Sequence, residues 1–145
     1  MKLYPNITII FIVWILSCLA VAYFSFISLS PSGVFNNNFL QSFANWDGGH
    51  YLSIAELGYI EEFQYAFFPL YPMLIRFLNQ ILQNYLISAI LISVGSSFLA
   101  IQLLYKLIAI DFEKKLAEKV IPFLLFFRTS FYFLTAYSEG LFCLL

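Results

Sequence analysis

The chain has 145 residues, of which 62% are hydrophobic and only 10% are charged, whereas an ordinary soluble domain carries roughly 25% charged residues. This composition predicts an all-α integral membrane protein, a polytopic helix bundle in a single membrane domain covering 1–145. The net charge of −1 gives no basic stripe for nucleic acid. The two cysteines, Cys18 and Cys143, lie in apolar runs and indicate neither a disulfide framework nor a metal site.

The first apolar run, about 7–29, carries no charge. It is longer than the roughly 7–15 residues of a signal-peptide core, so it predicts a retained first transmembrane helix. Turn-forming residues follow between Ser30 and Asn38. The loop 31–66 then holds four acidic residues and neither Lys nor Arg, which places it on the non-cytoplasmic side under the positive-inside rule.

Within this loop the sequence predicts a short amphipathic helix over 48–57 that lies on the membrane surface. Asp47 is a favoured N-cap residue, and Gly58 suits the position after the helix. Three residues share the apolar face of this helix at i, i+3 and i+4: Tyr51, Ile54 and Ala55.

Two further apolar stretches follow the loop. The stretch 66–82 contains two prolines and predicts an interfacial juxtamembrane or re-entrant helix. A cleaner run over about 84–108 predicts the second span, which leads to a Lys-rich cytoplasmic loop at 109–119. A third span and the start of a fourth are expected over 120–145. Because the chain ends inside an apolar run, we expect the N-terminal part of a larger multispanning protein or a truncated reading frame.

Asp47 is the residue best placed to carry chemistry. It lies between the indole of Trp46 and two glycines, Gly48 and Gly49, which allow another backbone or a ligand to approach closely. Its carboxylate either only caps the helix or also acts as a general base at the interface. His50 is the single histidine, so no zinc-type cluster is expected. It is either a hydrogen-bonded structural residue or a binding residue one helical turn from Asp47.

Two charges lie inside the last apolar run, Arg128 and Glu139. A charge at such a position costs at least about 2.5–3.5 kcal/mol on insertion scales, so we expect Arg128 to face a cavity or to pair with Glu139. Alternatively, the chain breaks between Thr129 and Ser138, and both ends reach the non-cytoplasmic interface. Arg76, near the end of the interfacial stretch, is expected to reach lipid phosphate.

Three blocks of residues stand out along the chain: Trp46-Asp47-x-x-His50-Tyr51 with Glu56-x-Gly58-Tyr59, then Ala66-Phe67-Phe68-Pro69-x-x-Pro72, and finally Tyr137-Ser138-Glu139. In this order they resemble the phosphatidylinositol-glycan class V (PIG-V) mannosyltransferases, membrane enzymes of the GT-C superfamily. The resemblance covers most of 45–76 and a shorter patch at 129–142. It implies a GT-C-like bundle with interfacial juxtamembrane helices in the first non-cytoplasmic loop.

The resemblance also implies an activity, the transfer of mannose from dolichyl- or polyprenyl-phosphate mannose to a glycolipid or other glycan acceptor on the non-cytoplasmic face. In that reaction Asp47 is the base that deprotonates the acceptor hydroxyl, and the anomeric carbon is inverted. Membrane lipids, the lipid-linked donor and the glycan acceptor are the implied partners. The implied substrate-binding positions are Trp46, His50, Tyr51, Glu56, Tyr137 and Glu139.

The chain departs from its relatives at two positions. Some relatives carry an acid where Gly49 stands, so a metal held by paired carboxylates is not supported, and no cofactor is expected. Relatives tend to have Pro where this chain has Arg128, so this residue inherits no family role. We expect its guanidinium to bind the lipid phosphate of the donor, because guanidinium groups suit that anion.

Two other functions stay open. The chain could be a non-catalytic membrane protein, either a truncated remnant or a helix-packing subunit, or a GT-C enzyme that uses another lipid-linked sugar. A bacterial plasma membrane and an endoplasmic reticulum membrane fit the sequence equally well, with the active loop on the non-cytoplasmic face in either case.

Overall fold

The computed structural model describes residues 3–29 and 38–145, so the predicted turn over Ser30–Asn37 lies outside the described residues. Within these ranges the chain forms α-helices and short 3₁₀ segments, which confirms the predicted all-α bundle. The α-helices are α1 (Pro5–Leu29), α2 (Asp47–Leu57), α3 (Leu70–Leu82), α4 (Tyr85–Asp111), α5 (Lys114–Leu125) and α6 (Glu139–Leu144).

Among the described residues, α1 and α4 are the helices long and apolar enough to cross a membrane. They have 25 and 27 residues, and about 20 suffice to span a bilayer. The two helices are antiparallel. Just before α1, the Tyr4 N–H donates to Gln102 Oε1 at 2.9 Å, and farther along α1 the Phe11 ring meets Phe98 at 5.4 Å. The start of α1 and the end of α4 therefore lie at the same end of the bundle.

The larger core cluster joins α1, α4 and α5 along this pair. Because lipid tails are as apolar as these side chains, close packing contributes more to its stability than transfer out of water does. Its most deeply buried members come from all three helices: Ile7, Phe11, Trp14, Ile101, Ala117, Ile121 and Leu125.

The loop after α1 folds back as a 3₁₀ segment (Phe39–Ala44), followed by α2. The predicted apolar face of α2 is confirmed, since Tyr51, Ile54 and Ala55 are all buried. Arg76 of α3, which was expected at lipid phosphate, is exposed, and its Nε donates to Ala55 O at 2.6 Å. A cation at the last carbonyls of α2 is favourable because of the helix dipole. This contact ties α2 to α3.

The stretch predicted as one interfacial helix over 66–82 has three parts. A 3₁₀ segment ends at Ala66, Phe67 is extended, and α3 begins only after Pro69. Proline disfavours the helical conformation in the residue before it, which explains the late start. The outer side of α3 carries large exposed apolar residues spaced four apart: Met73, Phe77 and Ile81. Such a stripe suits a helix at a membrane interface.

The run from 120 onward does not form the single long helix expected of a third span. The Lys-rich segment is itself helical and continues into α5, which has 12 residues and ends three residues after Pro122. An interior proline removes one backbone hydrogen bond and weakens the helix. At about 18 Å, α5 is too short to cross a hydrocarbon core of about 30 Å. The residues 126–138 then form turns and a 3₁₀ segment (Ser130–Phe133). This agrees with the alternative in which the chain breaks between Thr129 and Ser138.

Helix α6 returns along the middle of α4, with Gly140 at the point of closest approach. A Cβ atom at Gly140 would lie 2.8 Å from Ser93 O and would also collide with the Ser97 hydroxyl. The small residues of α4 on this side, Ser93, Ser96 and Ser97, are all buried. Small residues on both helices therefore allow the two backbones to approach closely, as is common in membrane bundles.

We predict that Gly140→Ala destabilises the protein by about 1–3 kcal/mol, because the methyl group overpacks the α4–α6 contact. Gly95→Ala on α4 is the matched control, since a Cβ at Gly95 meets nothing within 4 Å. The control should leave stability unchanged or raise it by up to about 1 kcal/mol through helix propensity. Thermal unfolding of the two variants in detergent measures the difference. Equal midpoints would show that α6 does not pack on α4 in this way.

Candidate active site

The chain segment before α6 returns to the start of α2. The Ala136 N–H donates to Phe43 O at 2.9 Å, and the Tyr137 hydroxyl donates to Asn45 O at 3.0 Å. On α2, the Tyr51 hydroxyl lies 2.8 Å from Ser138 Oγ. These bonds join residues about 90 positions apart, so the first and last sequence blocks meet in one place.

Gly48 makes this meeting possible. It is buried, and a Cβ atom on it would lie 3.2 Å from Ala136 O and 3.6 Å from Ala136 Cβ. That spacing is tighter than most side chains tolerate, so glycine allows the first turn of α2 to lie against the returning segment. The sequence suggested that a ligand or another backbone approaches this glycine closely. At Gly48 the approaching backbone is that of Ala136 in the same chain.

The prediction that Asp47 is the N-cap of α2 is wrong. Trp46 occupies the cap position, no side chain caps the helix there, and Asp47 is the first helical residue. The Trp46 backbone has φ 49°, a value that a non-glycine residue rarely adopts. Asp47 is exposed, and its negative charge in the first turn is favourable to the helix dipole. Its carboxylate is therefore not used for capping.

Tyr137 lies beside Asp47. Burial and then the negative charge of Asp47 raise the pKa of the Tyr137 hydroxyl to about 12. The phenol therefore stays protonated near neutral pH and acts as a hydrogen-bond donor, as it does to Asn45 O. Its oxygen can also accept, so a neutral phenol beside an exposed carboxylate can orient a sugar hydroxyl.

Glu139, two residues after Tyr137, adds a second carboxyl group near Asp47. Burial raises its pKa, and the charge of Asp47 contributes in the same direction. Its Oε2 atom is buried and has no hydrogen-bond partner in the described part of the chain. Buried polar atoms in proteins are nearly always paired, so an unpaired one often marks a ligand site. Glu139 and Ser138 line a cavity of about 410 Å³.

Two residues that the sequence interpretation missed hold this segment in place. The Tyr71 hydroxyl of α3 lies 3.0 Å from Ala89 O and 2.6 Å from Ser93 Oγ on α4. Ser93 in turn donates to Tyr137 O at 2.8 Å. Burial raises the pKa of Tyr71, so its hydroxyl remains a donor. The sequence feature that could have indicated this contact is the unusual number of serines within the apolar run of α4.

Three predicted site residues lie apart from this cluster, and a fourth, Trp46, adjoins it. Trp46 is close in sequence but 75% exposed. The His50 ring packs against Phe63 at 4.9 Å, on the side of the 3₁₀ segment Glu62–Ala66. Glu56 is exposed at the far end of α2, about 13 Å along the helix axis from Asp47. Arg128 lines a separate groove rather than the cavity of Glu139, so the two do not form the expected pair.

No group of three His, Cys, Asp or Glu side chains within residues 3–29 and 38–145 is arranged to hold a metal ion. Among these residues, an exposed carboxylate and a neutral phenol lie at the start of α2, and a half-buried carboxyl group lies near enough for the charge of Asp47 to raise its pKa. Such a set can bind sugar hydroxyls and accept a proton.

Comparison with known proteins identifies the family to which this site belongs. The sequence model of the mannosyltransferase (PIG-V) family matches residues 7–145. The chain belongs to the PIG-V mannosyltransferase family. It is 40% identical over 78 residues to human GPI alpha-1,6-mannosyltransferase 2, an alignment that covers 47% of this chain and 15% of the relative. The chain thus matches only a small part of that protein's length. No solved structure matches the chain.

We predict that Glu139→Gln stabilises the protein near neutral pH. A carboxyl group whose pKa is raised in the folded state favours folding below its ordinary pKa, and this contribution is lost as pH rises through the raised value. Glutamine keeps the shape and removes the charge. The difference between the unfolding midpoints of the variant and the parent protein should grow as the pH rises from 4 to 8, and the variant should be the more stable protein. A constant difference across this range would contradict the burial of a charged Glu139.

Proposed function

We propose that the complete protein transfers a mannosyl group from dolichyl- or polyprenyl-phosphate mannose to a glycolipid or other glycan acceptor. The proposal is supported by family membership together with one structural observation. The last sequence block, Tyr137-Ser138-Glu139, packs directly against the start of α2, where Asp47 carries the exposed carboxylate. Family membership favours this enzymatic role over a non-catalytic helix-packing subunit.

In the proposed reaction Asp47 acts as the general base. Its carboxylate accepts the proton of the acceptor hydroxyl while the oxygen attacks the anomeric carbon of mannose. The bond from that carbon to the phosphate oxygen breaks, and the lipid phosphate leaves with the electron pair. General-base assistance of this kind contributes about 10²–10⁴ in rate. Attack opposite the leaving phosphate inverts the anomeric centre.

The neighbouring groups have separate roles in this proposal. The Tyr137 hydroxyl is held neutral by burial and donates to Asn45 O, and its oxygen can still accept from a sugar hydroxyl. Glu139 has an unpaired carboxyl oxygen that can accept from a sugar hydroxyl. The exposed Trp46 indole, next to Asp47, offers an apolar face for stacking on a sugar ring. Because Gly49 stands where some relatives have a second acid, we expect no metal requirement.

The roles of His50 and Glu56 are weaker in this proposal. His50 packs against the edges of two phenylalanine rings, so it supports the shape of the loop. Glu56 is too far along α2 to contact a sugar held at Asp47. It remains available to an extended acceptor that continues across the exposed surface of the helix. Tyr51 acts on the site through its hydrogen bond to Ser138.

Asp47→Asn should lower donor-dependent mannosyl transfer by at least about a hundredfold, because an amide cannot accept the proton. The amide is nearly the same size and the side chain caps no helix end, so folding should lose only the helix-dipole contribution of about 0.3–1 kcal/mol. Glu62→Gln is the matched control, an exposed acid in the same loop, and should leave transfer unchanged. Transfer is measured with the complete protein and radiolabelled donor. Undiminished activity of Asp47→Asn would contradict the role of Asp47 as the general base.

We also propose that the loop carrying Asp47 faces the non-cytoplasmic side. The antiparallel pair α1 and α4 puts this loop and the Lys-rich start of α5 at opposite ends of the bundle. In intact cells, a membrane-impermeant maleimide should label Tyr65→Cys, whereas Lys115→Cys should react only after permeabilisation. Both positions are exposed, and the parent protein sets the background. The reverse pattern would overturn the orientation.

A further inference from the structure

A second, apolar cavity of about 560 Å³ lies between α1 and the irregular segment after α5, and we call it the α1 groove. Its α1 wall is one face of the helix, formed at i, i+3, i+4, i+7 and i+8 by Trp14, Ser17, Cys18, Val21 and Ala22. This wall extends for about 12 Å along the helix axis. The volume falls within the range of about 300–1,000 Å³ that is usual for ligand sites.

Among the described residues, the lining of the α1 groove contains one charged residue, Arg128. Arg128 and Glu139 line different cavities, so the nearby acid does not neutralise it. A guanidinium group beside a membrane-spanning helix is stable only if an anion or a water-filled space accompanies it. Phosphate is one of the anions that guanidinium binds well, through two parallel hydrogen bonds.

One end of the α1 groove adjoins the candidate active site. Its lining includes Phe43 and Thr135, and Phe43 O accepts the hydrogen bond of Ala136, the residue before Tyr137. Phe39 packs on both Phe43 and the later turns of α1, which places this end beside Ala22 rather than beside Trp14. The groove therefore extends from the active site toward the middle of a spanning helix.

We propose that the α1 groove holds the hydrocarbon chain of a lipid phosphate and that Arg128 contacts its phosphate. The identity of this lipid as the sugar donor rests on the proposed function. The direction of the groove, from the site toward the bilayer centre, is the direction that a lipid chain takes from its headgroup. The groove supplies apolar walls for the chain, and the one guanidinium supplies the countercharge.

A further transmembrane helix is the main competing occupant of the α1 groove. Such a helix would bury Arg128 against protein and would need to bring its own carboxylate to neutralise it. A lipid phosphate brings both the anion and an apolar chain in one molecule. The observed combination of a long apolar wall and a single cation therefore favours the lipid.

The test uses the complete protein in proteoliposomes and a polyprenyl phosphate that carries a photoreactive diazirine along its chain. Illumination should attach the probe to peptides containing 14–22 and 126–135. Ala22→Phe fills the groove and should lower this labelling roughly tenfold, while Ala20→Phe, exposed on another face of α1, should leave it unchanged. Arg128→Gln should weaken probe binding by a similar factor, and Arg128→Lys by less.

The outcomes separate the possibilities. Three results would overturn the proposal and favour a protein helix in the groove. They are an equal loss of labelling in Ala20→Phe, labelling confined to other peptides, and unchanged probe binding by Arg128→Gln. Equally strong labelling by a diazirine phosphatidic acid overturns the assignment to the donor. Asp47→Asn should keep the labelling and lose transfer. If it keeps both, Asp47 is not the base, while the lipid site stands. Labelling of the parent protein without donor-dependent mannosyl transfer would overturn the proposed function and leave the lipid site standing, so the two failures are distinguishable.

Discussion

The contact of the segment 136–140 with α4 is the constraint on which the rest of the structure depends. The Tyr71 hydroxyl of α3 lies 2.6 Å from Ser93 Oγ, which donates to Tyr137 O, while Gly140 lies against the Ser93 carbonyl. One short, small-residue surface of α4 thus positions α3, α6 and the returning segment together. In a bilayer, where apolar burial distinguishes poorly between lipid and protein, close approach and shared hydroxyls are the forces that specify such packing.

The irregular backbone of 126–138 follows from the same constraint. Backbone carbonyls outside helices need other hydrogen-bond partners when they are buried. Ser93 and Ser97 donate to the carbonyls of Tyr137 and Phe133, and the segment lines two cavities. Because α5 ends at Leu125, the following residues lose helical hydrogen bonds. They gain contacts that place Tyr137 and Glu139 near Asp47.

The strained backbone at Trp46 has a place in this arrangement. A non-glycine residue with positive φ costs of order 1–3 kcal/mol and persists only where its surroundings enforce it. The bonds from Tyr137 to Asn45 O and from Ala136 to Phe43 O hold the residues just before Trp46. The strain leaves the indole and the Asp47 carboxylate exposed at the start of α2, where a substrate can reach both.

The sequence by itself determined the features that depend on local pattern. Composition predicts the all-α membrane bundle, apolar run length predicts α1 and α4, and helical spacing predicts the buried face of Tyr51, Ile54 and Ala55. The motif blocks also identify the family correctly. Each of these signals comes from residues that are neighbours along the chain, so periodicity and hydropathy suffice to read them.

Only the tertiary structure decided which distant residues meet. Tyr137 and Asp47 are 90 positions apart, and nothing in local pattern indicates that a break after Leu125 returns the chain to α2. The same break separates Arg128 from Glu139, although their spacing suggested a pair. Asp47 looked like a helix cap because its residue type favours that position, but the contacts of Asn45 and Gly48 with the returning segment place Trp46 there instead. Long-range packing overrides local preference at these points, and they are the points where the proposed chemistry lies.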